Sequence, residues 1–184
     1  AAIAIRSVRK GRLTLGESLV VLGAGIVGQL ALTLARLSGA MPVIAVDLDE
    51  GRLAHALRRG ADLAIDPTTT DDIVQAVRDH CVDDGARVVI EATGKPAVYP
   101  LAVQLASTGG RVVALGSPRG TVEMDFMRDV HLREVDLIGA FQPLTPERDH
   151  VYYPWTKARD RRLLLELMAQ GKLAVRDLIT HRFA

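Results

Sequence analysis

Short apolar runs rich in valine, isoleucine and leucine recur along the chain. They are LVVLG (Leu19–Gly23), VIAVD (Val43–Asp47), DLAID (Asp62–Asp66), RVVIEA (Arg87–Ala92), RVVALG (Arg111–Gly116) and VDLIGAF (Val135–Phe141). Most do not alternate apolar with polar residues, which is the pattern of strands covered on both faces, as in a parallel sheet. Segments with helical spacing lie between them. Ile26 to Ser38 is apolar nearly all round, as suits a helix laid on a sheet. Asp49 to Arg59 opens with acids and closes on Arg58-Arg59-Gly60, matching the helix dipole and a glycine C-cap. Thr70 to Cys81 sets Ile73, Ala76 and Val77 on one face behind a capping Thr-Asp-Asp. Pro96 to Ser107 starts on proline and stops before Thr-Gly-Gly.

The alternation of strand and helix predicts an α/β fold, a doubly wound parallel six-stranded sheet (Rossmann fold) with right-handed crossovers. Residues 117–156 are less regular, and SPRG, QPLTPE and YYPW read as loops. A last helix, Arg159 to Gln170, stops at Gly171, and LITHRF is expected to be a strand. Ala2, Ile3 and Ile5 followed by basic residues read as the end of a short helix. The chain opens without a methionine, so a fragment is expected. Its parts would be a lead-in helix over 1–16, an α/β domain over 17–171, and a closing segment over 172–184.

Within this pattern LVVLGAGIVGQLALTLA, Leu19 to Ala35, could be taken for a membrane span, since Gln29 and Thr33 are its only polar side chains. Gly23, Gly25 and Gly28 fall in six consecutive residues, however, and such a cluster weakens any helix. A strand, a tight turn and a helix fit better, and they place G-x-G-x-x-G in the context it requires. Gly23 permits the turn, Gly25 lets a pyrophosphate approach the backbone, and Gly28 lets the helix pack close to the strand. The free N–H groups of the helix start would face the anion. Asp47 closes the next strand nineteen residues beyond Gly28, near the roughly 20 expected of the acid that holds the adenosine ribose. A carboxylate there accepts from both ribose hydroxyls and repels a 2′-phosphate, favouring NAD(H) over NADP(H).

Composition narrows the classes further. Of 184 residues, 48% are hydrophobic and 24% charged, a globular balance. Twenty-three basic against 22 acidic side chains give a net charge of +1, which leaves no electrostatic footprint for nucleic acid. The cluster KARDRR, Lys157 to Arg162, reads as a solvated helix face. Cys81 is the single cysteine, so no internal disulfide or thiolate zinc cage can form, and a reducing, cytoplasmic setting is expected. The start of the chain lacks the order of a secretory signal, and no membrane partner is expected.

GESLVVLGAGIVGQLALTLARLSGA, VIAVDLDEGRLAHALRRGAD, VVIEATG, GGRVVALG and LITHRF succeed one another in an order that resembles the cofactor domain of zinc-type medium-chain dehydrogenases, close to the alcohol, sorbitol and threonine dehydrogenases. The resemblance covers nearly the whole chain, and it implies that 17–171 is a dinucleotide-binding domain, with 1–16 leading in from, and 172–184 returning towards, a missing catalytic domain. It implies that Gly23, Gly25, Ile26, Val27 and Gly28 hold the pyrophosphate of NAD, and that Asp47, with Leu48 beside it, and Arg52 hold the adenosine ribose. It puts Ala92 and Thr93 beside the adenosine half, and Leu115, Gly116, Ser117, Gly139 and Ala140 near the nicotinamide. It also implies a parent enzyme passing hydride between an alcohol or polyol and NAD, a fragment inactive by itself, and a homodimer paired through the edge strand around Val135–Phe141.

The catalytic zinc of that family takes ligands from a separate domain. Here His55, His80, His131, His150 and His181 are scattered, and no metal site is expected in this chain. Three other readings compete. Tyr153 and Lys157 reproduce the Tyr-x-x-x-Lys spacing of short-chain dehydrogenases, but Pro154 between them argues against a shared helix face. A module that binds NAD without catalysis is a second reading. A methyltransferase is a third, disfavoured because Gly28 closes a dinucleotide motif.

Overall fold

The structure is a computed structural model and describes residues 1–149, 151 and 153–182. Its elements run α1 (Ala2–Lys10), β1 (Leu19–Leu22), α2 (Ile26–Leu37), β2 (Val43–Val46), α3 (Glu50–Arg58), β3 (Leu63–Ile65), α4 (Ile73–Arg78), β4 (Ala86–Glu91), α5 (Tyr99–Leu105), β5 (Ala106–Ala114), β6 (Asp136–Gly139) and α6 (Lys157–Ala169). The six strands form one sheet in the order β3-β2-β1-β4-β5-β6, and every pairing is parallel. The chain winds outward from β1 to β3, returns to β4 and winds the other way. A crevice therefore opens between β1 and β4 at the carboxyl ends of the strands, the point at which open sheets of this kind bind ligands.

The continuous apolar runs arise from a core on each face. Leu19 and Val21 of β1 point to one cluster, with Ile5 and Val8 of α1, Leu30 and Leu34 of α2, Leu53 of α3 and Leu164 of α6. Val20 and Leu22 point to the other, with Val77 of α4 and Val103 and Leu105 of α5. The strand period of two is present in space but invisible in sequence, because both faces are buried.

Several expected elements differ in extent. The helix over 70–81 shortens to α4; of the capping Thr-Asp-Asp it is Asp72 that caps, its carboxylate accepting the Gln75 N–H at 2.9 Å. The helix over 96–107 divides into a 3-10 turn at Pro96–Val98 and α5. Ala106 and Ser107 already belong to β5, because Ala106 pairs with Ala86 of β4. The loop region also holds a six-residue π-helix, Phe126–His131, capped by Asp125.

The expected strand at LITHRF is not formed over residues 179–182. Arg176–Leu178 make a 3-10 turn, and residues 179–182 belong to none of the six strands. Phe183 lies outside the described residues. The C-terminal turn is held to α3 instead, where the Asp177 carboxylate meets His55 Nε2 at 3.0 Å and Arg59 Nη1 at 2.6 Å. Among the described residues, no helix is long and apolar enough to cross a membrane.

Candidate functional site

The turn between β1 and α2 shows what each motif glycine does. Gly23 sits at φ +93°, a backbone conformation that costs any residue with a Cβ, and a Cβ there would lie 2.9 Å from Thr93 Cγ2. A Cβ on Gly28 would overlap the Gly23 carbonyl oxygen and stand 2.9 Å from its carbon. A Cβ on Gly25 would meet nothing within 4 Å. Gly23 and Gly28 are thus fixed by the protein's own packing. Gly25, the N-cap of α2, faces open space with the N–H groups of the helix start around it.

Asp47 comes directly after β2, on the far side of that opening. Its side chain is 9% exposed, and it braces the glycine turn: Oδ2 accepts the Ala24 N–H at 2.6 Å and Oδ1 accepts the Asp49 N–H at 3.0 Å. Arg52 Nη1 stands 3.7 Å from Oδ1 with its side chain largely in solvent. Asp49 caps α3 by accepting the Arg52 N–H, which sets where Arg52 leaves the helix. Gln29, buried under the turn, donates from its amide to the carbonyls of Ala24 and Arg52, joining the two segments from below.

Two cavities occupy the carboxyl end of the sheet. The first, of about 470 Å³, is lined by Gly23, Gly25, Asp47, Leu48, Arg52, Ala92 and Thr93 among the expected residues. The second, of about 540 Å³, gathers Leu115, Gly116, Ser117, Gly139 and Ala140. Each is of the size that small-molecule sites adopt. Ile26 faces a third hollow, on the α3 side of the turn with Asp49, His55 and Asp177. Val27 and Gly28 line none of the three; Val27 packs on the core and Gly28 is the packing point already described.

Sequence reasoning left out several lining residues. Pro67, Val98 and Leu101 supply apolar walls to the first cavity and Lys95 a cation, while Ile3, Pro118 and Phe141 supply walls to the second. None carries a short-range signal, because they arrive from separate helices and loops. Glu91 was legible but unused: it lies in the VVIEATG run and is fully buried at the end of β4. Its Oε1 accepts the N–H of Thr93 at 2.7 Å, that of Gly94 at 3.0 Å, and the Thr93 hydroxyl. Burial, and then the neighbouring Glu91, push the Tyr99 phenol up to about 12, so it stays protonated.

Tyr153 and Lys157 are not brought together at either cavity. The Tyr153 hydroxyl accepts from Arg6 Nη1 at 2.8 Å on the α1 side, and Lys157 Nζ pairs with Glu147 at 2.6 Å. Among the described residues no group of three or more His, Cys, Asp or Glu side chains could hold a metal ion. KARDRR is a mixed face: Arg162 pairs with Glu166 in solvent, whereas Asp160 turns inward to Arg9.

Residues 27–153 match the family model described as zinc-binding dehydrogenase. The chain is 33% identical over 181 residues to the L-threonine 3-dehydrogenase of Symbiobacterium thermophilum, covering 97% of this chain and 47% of that protein. It is 32% identical over 184 residues to the sorbitol dehydrogenase of Bombyx mori, covering 99% and 49%. Among solved structures, a zinc-binding dehydrogenase from Sinorhizobium meliloti bound to NADP superposes with a TM-score of 0.82 at 28% identity, over 97% of this chain and 49% of that one. The chain thus spans about half the length of the relatives it matches.

Proposed function

This chain belongs to the zinc-binding dehydrogenase family, and from that premise we propose that it is the NAD(H)-binding part of an oxidoreductase whose intact form moves hydride between an alcohol or polyol and NAD. The observation that carries this reading is the pairing, in one cavity, of the unfilled space at Gly25 with the Asp47 carboxylate across from it. The residues fit a dinucleotide. The start of α2 offers N–H groups to a pyrophosphate, Asp47 and Arg52 suit a ribose with free hydroxyls, and Thr93 borders the same space. Leu115, Gly116, Ser117, Gly139 and Ala140 would seat the nicotinamide end.

When bound, the nicotinamide takes up or gives back a hydride. The work of this chain is to hold it, fix which face is presented, and keep water from it. No metal step is derived from these residues, since the described ones do not form a metal site. The proposed substrate class rests on relatives that are sorbitol and threonine dehydrogenases.

The preference for NAD rests on Asp47, although the Sinorhizobium relative is bound to NADP. A carboxylate 9% exposed, already facing two backbone N–H groups, would meet a 2′-phosphate as a buried like charge. The test is a titration of this chain with NADH and NADPH, monitored by nicotinamide fluorescence. NADH is expected to bind at least tenfold more tightly, a gap of ~1.4 kcal/mol, and Asp47→Ser to narrow that gap. Equal binding of the two by the unaltered chain would sink the NAD preference, and binding of neither would sink the cofactor reading.

A homodimer through β6 is part of the same proposal. β6 is an edge, its Leu137 side chain is 44% exposed, and Phe141 beyond it is 61% exposed. The last strand of a sheet, with apolar side chains beside it, suits pairing with a second copy.

A further inference from the structure

Glu91 lies on the partition between the two cavities. Thr93, which its carboxylate holds, lines the first, and Gly116, which it abuts, lines the second. A Cβ on Gly116 would overlap the Gly94 amide and come 2.8 Å from Glu91 Oε2, so the two loops close over the carboxylate with no side chain between them. The main-chain oxygen of Glu91 accepts the N–H groups of Leu115 and Gly116 at 3.0 and 2.8 Å, fastening the same junction.

The charge of this group is unusual in its surroundings. Glu91 is fully buried, and among the described residues it forms no ion pair; backbone N–H groups and the Thr93 hydroxyl hold it. The Tyr99 hydroxyl is buried beside it. Dipoles of this kind stabilise an anion in place but leave its net charge, whose field in a poorly polarisable interior reaches into the crevice. A group that only anchored loops would need hydrogen-bond acceptors there and no charge.

Building on the cofactor reading above, we propose that Glu91 is a positioning residue whose unpaired buried charge biases the crevice towards the oxidised dinucleotide, with its cationic nicotinamide ring, over the reduced form, whose ring is neutral. The two forms present the same pyrophosphate, riboses and adenine to Asp47, Arg52 and the glycine turn. A fixed negative charge beneath the junction tells them apart through the ring alone.

The experiment compares the dissociation constants of NAD+ and NADH, by calorimetry, for the unaltered chain and for Glu91→Gln. Glutamine keeps the Oε1 acceptor for Thr93 and Gly94 and removes the charge. The ratio Kd(NADH)/Kd(NAD+) is expected to fall by roughly fivefold in Glu91→Gln. A role in loop anchoring alone would weaken both forms equally and leave the ratio in place, which would overturn the proposal. Tyr99→Phe serves as a second variant that removes only the hydroxyl beside Glu91 and keeps the ring in place. With that polar neighbour gone the charge is less compensated, and the ratio is expected to rise; a fall or no change counts against the proposal. If the unaltered chain binds neither form, the cofactor reading fails and this inference with it. If both bind and the ratio is fixed across the variants, only this inference fails.

Discussion

The carbonyl oxygen of Gly23 fills the space that a side chain on Gly28 would need, so the start of α2 rests directly on the end of β1. Gly25, three residues from that contact, has nothing within 4 Å of where its Cβ would be. Two glycines of one motif are therefore required for different reasons, and substitution separates them. Gly28→Ala is expected to destabilise the fold by at least about 2 kcal/mol, through backbone overlap that cannot relax without moving the turn. Gly25→Ala should leave stability within about 0.5 kcal/mol while lowering NADH affinity by tenfold or more. Thermal unfolding and nicotinamide fluorescence on the two variants would show this; loss of stability in Gly25→Ala would contradict it.

Arg9 and Asp160 join α1 to α6 across a buried contact, Nε to Oδ1 at 2.8 Å, with side chains 12% and 4% exposed. The guanidinium also lies over Trp155, 3.4 Å from the ring centroid. Removing one partner strands a charge, so Asp160→Ala should cost about 3 kcal/mol. Arg9→Met combined with Asp160→Leu should recover most of that loss, since an apolar pair replaces an ion pair without leaving an unmatched charge. Urea unfolding of Arg9→Met, Asp160→Leu and the pair would measure the coupling. Additive losses would show that the ion pair is not the unit that matters.

Glu17 gives the fold a pH dependence. Burial alone would raise its carboxyl, but the Thr14 N–H and the Arg111 guanidinium outweigh burial and hold it below the usual 4.5. Arg111 in turn donates to the carbonyls of Gly11 and Arg12, so this pair fixes the end of α1 to β5. A carboxyl lowered in the folded state stabilises fully above its unfolded value, and that contribution is lost as pH falls from about 4.5 through the folded value. Glu17→Gln should therefore be less stable than the unaltered chain at pH 7 by about 1–3 kcal/mol, and the difference should shrink steadily below pH 4.5. Unfolding curves at pH 7, 4 and 3 test it, and a difference independent of pH would contradict the argument.

The edge strand can be probed without touching either cavity. Leu137→Lys on β6 leaves the backbone register with Val112 intact and puts a charge on the exposed edge. Sedimentation velocity is expected to show a dimer for the unaltered chain and a shift to monomer for the variant, with NADH affinity retained. A monomer in both cases would remove the dimer proposal.

The sequence by itself determined the strands, the order of elements, the glycine turn and the position of Asp47. Each of these is written in a short window: an apolar run, a cap, or a fixed spacing between glycines and an acid. The residues that the family pattern singles out at the ends of β4, β5 and β6 lie at the carboxyl end of the sheet, lining its two cavities. The failures share a cause. The strand expected at LITHRF has β-forming residues but joins none of the sheet's strands over 179–182, and a strand exists only as half of a ladder. Tyr153 and Lys157 have an evocative spacing, yet each is claimed by a distant partner, Arg6 and Glu147. Only the tertiary structure decided that Glu91 lies buried between two cavities. It also decided that Asp47 braces the turn it faces. Those facts depend on atoms far apart in sequence meeting at the point where the winding of the sheet reverses, and no local window contains both sides of that meeting.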